Sequence, residues 1–254
     1  MGRFDALEFG EAKRQETAAA PDGEAVQDAQ YFIDLGDREF FRTAYEPALK
    51  AYSRAAGLDP GAEAAWLGQI LSLTALQEFR EAELWYGNAV EAIGETPDLL
   101  AARALVAART GDFDRACGYS DASLAAEGSG AFPYVVRGEI FLYGGRNAEY
   151  CFDQACNLAQ GHWRIRLLIA DACVFSGRKK AAHLAAKYLQ PAVDADPQSP
   201  ELAFAMGRAL LAAGRRRAAR TALEQAQALD PALPGIAAWI RRAKPGCLGA
   251  LFGK

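Results

Sequence analysis

The chain has 254 residues, of which 51% are apolar and 24% charged, with a net charge of −4. That length can bury a sizeable core, and no stretch approaches the ~20 apolar residues that a bilayer-crossing helix needs. The N-terminus, MGRFDALEFGEAKRQE, lacks the apolar run of a secretion signal, and Ala6 stands where a myristoylation pattern needs Ser or Thr, so a cytoplasmic protein is expected.

Residues 1–28 are polar and alanine-rich, broken by Pro21-Asp22-Gly23, and read as a flexible N-terminal segment. From Ala29 a helical period sets in. Small residues recur at Ala48, Ala82, Ala116, Ala148, Ala182 and Ala219, in steps of 34, 34, 32, 34 and 37. Four residues after each comes Tyr52, Tyr86, Ser120, Phe152, Ala186 or Leu223. Seven after each comes Ala55, Ala89, Ser123, Ala155, Leu189 or Ala226. The i, i+4, i+7 spacing puts each trio on one helical face. The clearest copy runs from Pro200 to Pro231, two amphipathic helices around a Gly-containing turn, with the small residues Gly207, Ala219 and Ala226 where the helices must touch and Leu210 and Leu223 filling in around them.

Some copies depart from the pattern. The third has Ser120 and Ser123 where bulk is usual, then Gly128-Ser129-Gly130, a candidate hinge. The fourth is two residues short near Gly144-Gly145, and Pro191 is predicted to kink or split the second helix of the fifth. Beyond Pro231, residues 234–245 suit a capping helix through Ile236, Trp239 and Ile240, leaving an apolar tail at 246–254.

A 34-residue helical period is the tetratricopeptide length. The chain resembles that family through Phe32, Leu35, Gly36, Ala48, Tyr52, Ala55 and Pro60 in the first copy. Trp66, Phe79, Ala82, Tyr86 and Ala89 carry the second, and Gly111, Asp112, Phe113 and Ala116 the third. Gly138, Ala148, Phe152 and Ala155 carry the fourth; the resemblance covers residues 29–233. It implies an all-α, right-handed superhelical TPR solenoid of six helix-turn-helix repeats with a C-terminal capping helix. It also implies that first helices line a concave groove. In register, that groove would be formed by Ile33, Asp37, Phe40, Leu67, Leu71 and Leu105 in the first three repeats. The last three would add Val135, Glu139, Leu167, Asp171, Phe204 and Arg208. Some family members grip a chaperone tail's carboxylate through Lys and Asn here; with Ile33, Asp37, Leu67 and Leu71 in those places, no such clamp is expected.

Catalytic patterns are missing: no G-x-S-x-G, no phosphate loop, no H-E-x-x-H, so no enzyme activity and no cofactor are expected. Cys117, Cys151, Cys156, Cys173 and Cys247 lack a C-x-x-C spacing, and with His162 and His183 they assemble neither a zinc site nor a disulfide framework. Binding is the expected work, through a peptide with apolar anchors lodged in the groove. Charge offers an alternative. Residues 161–254 hold 15 Lys and Arg against 6 Asp and Glu, and residues 1–160 hold 13 against 26. Copies could therefore self-associate, acidic front to basic rear. Arg215, Arg216, Arg217 and Arg220 begin a helix, the poor end for cations, and no aromatics interleave with them as a nucleic-acid surface would want. The tail residues Leu248, Leu251 and Phe252 read first as a docking peptide, then as a weak membrane foot, then as a plug on the chain's own repeats.

Overall fold

The computed structural model describes residues 27–244, and every regular element among them is a helix. The tail docking residues Leu248, Leu251 and Phe252 and the segment 1–26 lie outside the described residues. Two compact units divide the chain, Met1–Ala126 and Glu127–Lys254.

The first unit holds α1 (Ala29–Phe41), α2 (Tyr45–Leu58), α3 (Glu63–Ala75), α4 (Phe79–Ile93), α5 (Pro97–Thr110) and α6 (Phe113–Ala125). Local chemistry sets the starts. Asp28 Oδ1 accepts from Tyr31 N at 2.8 Å, and Thr96 Oγ1 accepts from Leu99 N at 3.1 Å with Pro97 in the first turn. Consecutive helices pack as hairpins, and the first helices α1, α3 and α5 also pack on one another, giving two layers. The motif alanines Ala48, Ala82 and Ala116 are fully buried at these contacts. Tyr52 holds two hairpins together. A methyl group added at Gly36 would stand 2.6 Å from its Cε1, and one added at Gly68 only 2.4 Å away. Only glycine lets both backbones approach the ring. The Tyr52 hydroxyl then donates to Asp37 Oδ1 at 2.7 Å.

Helix α3 is buried on nearly every side, and its polar residues are satisfied locally. Ser72 Oγ donates to the Gly68 carbonyl at 2.7 Å, and Thr74 Oγ1 to that of Ile70 at 2.6 Å. Ser53 Oγ reaches Gln69 Oε1 at 3.1 Å from α2.

The second unit holds α7 (Ala131–Tyr143), α8 (Glu149–Leu158), α9 (Trp163–Phe175), α10 (Lys179–Ala195), α11 (Pro200–Ala212), α12 (Arg216–Leu229) and α13 (Ile236–Arg242). Gly138 meets the Phe152 ring, where an added methyl would lie 2.2 Å away, and Gly207 meets Leu223 in the same manner at 2.6 Å. Each hairpin of both units turns through a left-handed residue: Thr43, Gln77, Gly111, Gly145, Gly177 and Gly214. In the fourth repeat the two missing residues fall just after that turn. Ala148 therefore becomes the N-cap, and α8 is left with 10 residues.

Two expectations for the fifth repeat are corrected. Helix α10 is not split; it runs unbroken for 17 residues through Pro191. Pro191 and Lys187 are both exposed, so water can reach the carbonyl that proline leaves without a donor. Its packing face also turns by one residue: Ala182, Ala185 and Leu189 are buried, whereas Ala186 is only partly so.

Successive turns of this unit touch along one edge. Arg178 Nη2 donates to the Tyr143 carbonyl at 2.7 Å, sealing the end of α7. Lys179 Cε lies 3.4 Å from where a Gly214 side chain would begin, and Arg216 Nη1 donates to the Lys244 carbonyl at 3.3 Å.

Candidate functional site

The residues that the sequence assigns to a groove fall on the first helices of both units, and most are closed off from solvent. In the first unit Ile33, Phe40, Leu71 and Leu105 are buried, while Asp37 and Leu67 stay partly open. In the second unit Val135, Leu167 and Phe204 are buried outright. Among the apolar positions of these helices that remain partly open are Val174 on α9 and Leu211 on α11, with Phe175 exposed on α9.

Beside these lies a row of buried charge. Glu139, Asp171 and Arg208 occupy the same turn of α7, α9 and α11, at 2%, 7% and 6% exposure. Arg208 Nη1 stands 2.9 Å from Asp171 Oδ1. Its guanidinium carbon sits 5.7 Å from the Phe204 ring centre and 5.8 Å from that of Trp239 on α13, and those two rings meet edge to face at 6.0 Å. Its Nε has no hydrogen-bond partner among the described residues. Glu139 Oε1 accepts from the Tyr143 hydroxyl at 3.0 Å. Burial, with the Glu139 and Asp171 carboxylates nearby, pushes the Cys173 thiol far above its ordinary range. Trp239 and Tyr143 were not among the residues assigned from sequence. Trp239 was legible only as a cap, and nothing in the spacing ties Tyr143 to Glu139.

At the other unit's rim, Asp98 and Glu63 open the first turns of α5 and α3, and the Thr96 hydroxyl donates to Glu63 Oε1. Desolvation, helped by the Glu63 charge, raises the Asp98 carboxyl from 3.8 to about 6. An acid raised on folding favours the native state while it is protonated. Its contribution is full below pH ~4 and lost as pH climbs through about 6. Asp98→Asn should therefore stabilise the protein near pH 7.5 by ~1–2 kcal/mol, the full shift being discounted for partial exposure. Below pH ~4 the gain should vanish. Thermal melts across pH check this; an equal gain at both ends would contradict it.

His162 caps α9, its Nδ1 accepting from Arg164 N at 3.3 Å, and stacks on Trp163 with ring centres 5.8 Å apart. Among the described residues no cluster of three potential metal ligands occurs, and no described helix is long and apolar enough to cross a membrane.

No family model and no curated protein matches the sequence. Solved structures do. The chain is similar to IFIT1, in a monomeric mutant solved with m7Gppp-AAAA, at a TM-score of 0.52 and 15% identity, over 82% of this chain and 52% of that one. A chain of the APC/C hetero-tetramer Cut9-Hcn1 matches at 0.49 and 18% identity, over 86% of this chain and 43% of that chain. YrrB, described as a TPR protein with an unusual peptide-binding site, matches at 0.37 and 17% identity, over 85% and 92%. The chain has the tetratricopeptide-repeat fold. It spans less than two thirds of the IFIT1 and Cut9-Hcn1 chains it resembles. At these identities the likeness describes the tetratricopeptide-repeat architecture alone, so a role has to come from this chain's own residues.

Proposed function

We propose that the protein is a non-catalytic scaffold or adaptor that binds an apolar or amphipathic peptide across its first helices. One observation carries the reading. In the second unit a row of partly open apolar side chains, Val174 and Leu211, runs beside the buried Asp171–Arg208 pair on the same two helices. Aliphatic residues at such places supply anchoring area, and a fixed charge pair beside them orients a chain that brings its own carbonyls and amides. Two carboxylates against one guanidinium make this face a poor one for a phosphate backbone. Leu67, half-open on α3, offers an equivalent anchor point in the first unit.

Screening a displayed library of short peptides should enrich sequences with two or three spaced apolar residues. Val174→Glu with Leu211→Glu should weaken the best of them by roughly tenfold or more, since each aliphatic contact is worth ~1.5–3 kcal/mol. Helicity should be unchanged, because both positions are partly open. Undiminished capture by this variant would remove the face from consideration.

A further inference from the structure

Each unit carries unpaired charge along one edge, and the two signs are opposite. In the second unit every turn from a first to a second helix bears cations, and the contacts described above join these turns. Arg178 reaches the end of α7, Lys179 lies against Gly214, and Arg216 holds the Lys244 carbonyl. Arg178, Lys179, Lys180, Arg215, Arg216 and Arg217 are exposed along this basic edge, and none of them pairs with a carboxylate among the described residues. Across residues 144–149, 176–180 and 213–217 the one carboxylate is Glu149, and Lys187 takes it up at 2.6 Å. Helix stability does not account for the arrangement. Lys179, Lys180, Arg216 and Arg217 sit in the first turns of α10 and α12, where the dipole disfavours positive charge.

The first unit holds the complement, at the connections that lead into its first helices. Between Arg54 and Arg103 the single cation is Arg80, against eight carboxylates. Asp59 and Glu63 stand at the connection into α3, and Glu91, Glu95 and Asp98 at the connection into α5. The Thr96 hydroxyl, donating to Glu63 Oε1, fastens one connection to the other. None of these five carboxylates pairs with a cation among the described residues, and the Glu63 charge works against Asp98 instead of relieving it. The two rows also share a pitch. Each advances by one repeat, the basic row across α9 and α11 and the acidic row across α3 and α5, and in both cases the first helices pack directly on one another. Helices in such contact stand about 8–10 Å apart. Two clusters of cations therefore meet two clusters of carboxylates at matching spacing when the second unit of one copy faces the first unit of another. That shared pitch singles out a second copy among polyanions.

We infer that the basic edge of one copy's second unit docks on the acidic connections of another copy's first unit. The contact is heterologous, so each added copy brings a fresh edge of either sign and growth continues past the dimer. Its residues differ from those of the peptide-binding face, so each proposal can fail without the other. Light scattering of the full chain tests it. At roughly 0.01 M salt the mass should rise with protein concentration, and at roughly 1 M salt, where charges are screened beyond about 3 Å, it should return to that of a single chain. Lys179→Gln, Lys180→Gln, Arg215→Gln and Arg217→Gln combined should weaken association by roughly tenfold or more, as should Asp59→Asn, Glu91→Gln and Glu95→Gln combined. All these residues are exposed, and the amides keep an acceptor for Gly61 N and the Tyr86 hydroxyl, so circular dichroism should report an unchanged fold. Mixed in equal amounts, the two variants should form one-to-one pairs and stop there, because each retains a single charged edge. A single chain at both ionic strengths would overturn the proposal. So would association that either variant leaves undiminished, a mixture that forms no pairs, or a mass rise seen only with added polyuridylic acid.

Discussion

Tyr52→Ala is expected to destabilise the protein by about 3–5 kcal/mol, the range for emptying a buried aromatic site. The ring is 3% exposed and fills the hollows left by two glycines on two different helices. Neither Gly36 nor Gly68 has a side chain with which to close the gap, so relaxation should recover little. Burial holds the phenol well above the usual tyrosine range, keeping it protonated as the donor to Asp37. Tyr52→Phe, which preserves the ring and removes only that donor, should cost about 1–2 kcal/mol. Urea melts of the two variants separate packing from hydrogen bonding. A loss below about 1 kcal/mol for alanine would mean that the helices collapse onto the vacancy.

The second large effect concerns Asp171 and Arg208. Removing either partner strands a charge in a site that water hardly reaches, and Asp171→Ala or Arg208→Ala should cost about 3–5 kcal/mol. The pair itself is expected to contribute little, because bringing both groups out of water offsets most of their attraction. Asp171→Leu with Arg208→Met should accordingly come within about 1 kcal/mol of the native protein, or exceed it. If the double variant were as unstable as either single one, the pair would be a source of net stability. Retained stability with impaired peptide capture would instead favour a recognition role for the two charges.

Much of the fold can be read without coordinates because one face of every second helix has to be small. Ala55, Ala89, Ala155 and Ala226 are all completely buried, as are the motif alanines four of those hairpins begin with. The fourth repeat's deficit was likewise visible as a shortened step, and its consequence, a clipped α8, follows from where the two residues are missing. Pro191 does not split its helix, because water can reach the carbonyl it leaves without a donor, and that exposure cannot be read from the residue itself. The groove residues are a harder case. Register places Val135, Leu167 and Phe204 on the right helices, but how far neighbouring helices close over them depends on side-chain size across several repeats. A spacing rule carries no such information. The basic edge was half visible, as the arginines from 215 to 220. Its continuation through Arg178 and Lys179 required knowing that turns a repeat apart lie in contact.

The ring of Tyr52 also says where this protein could be cut and rejoined. It belongs to the first repeat, yet the glycine it fits most tightly, Gly68, belongs to the second. A recombinant chimera spliced at Pro60 would bring in a foreign aromatic, or none, above that glycine. The interchangeable brick is thus out of phase with the sequence motif: a second helix travels with the first helix that follows it.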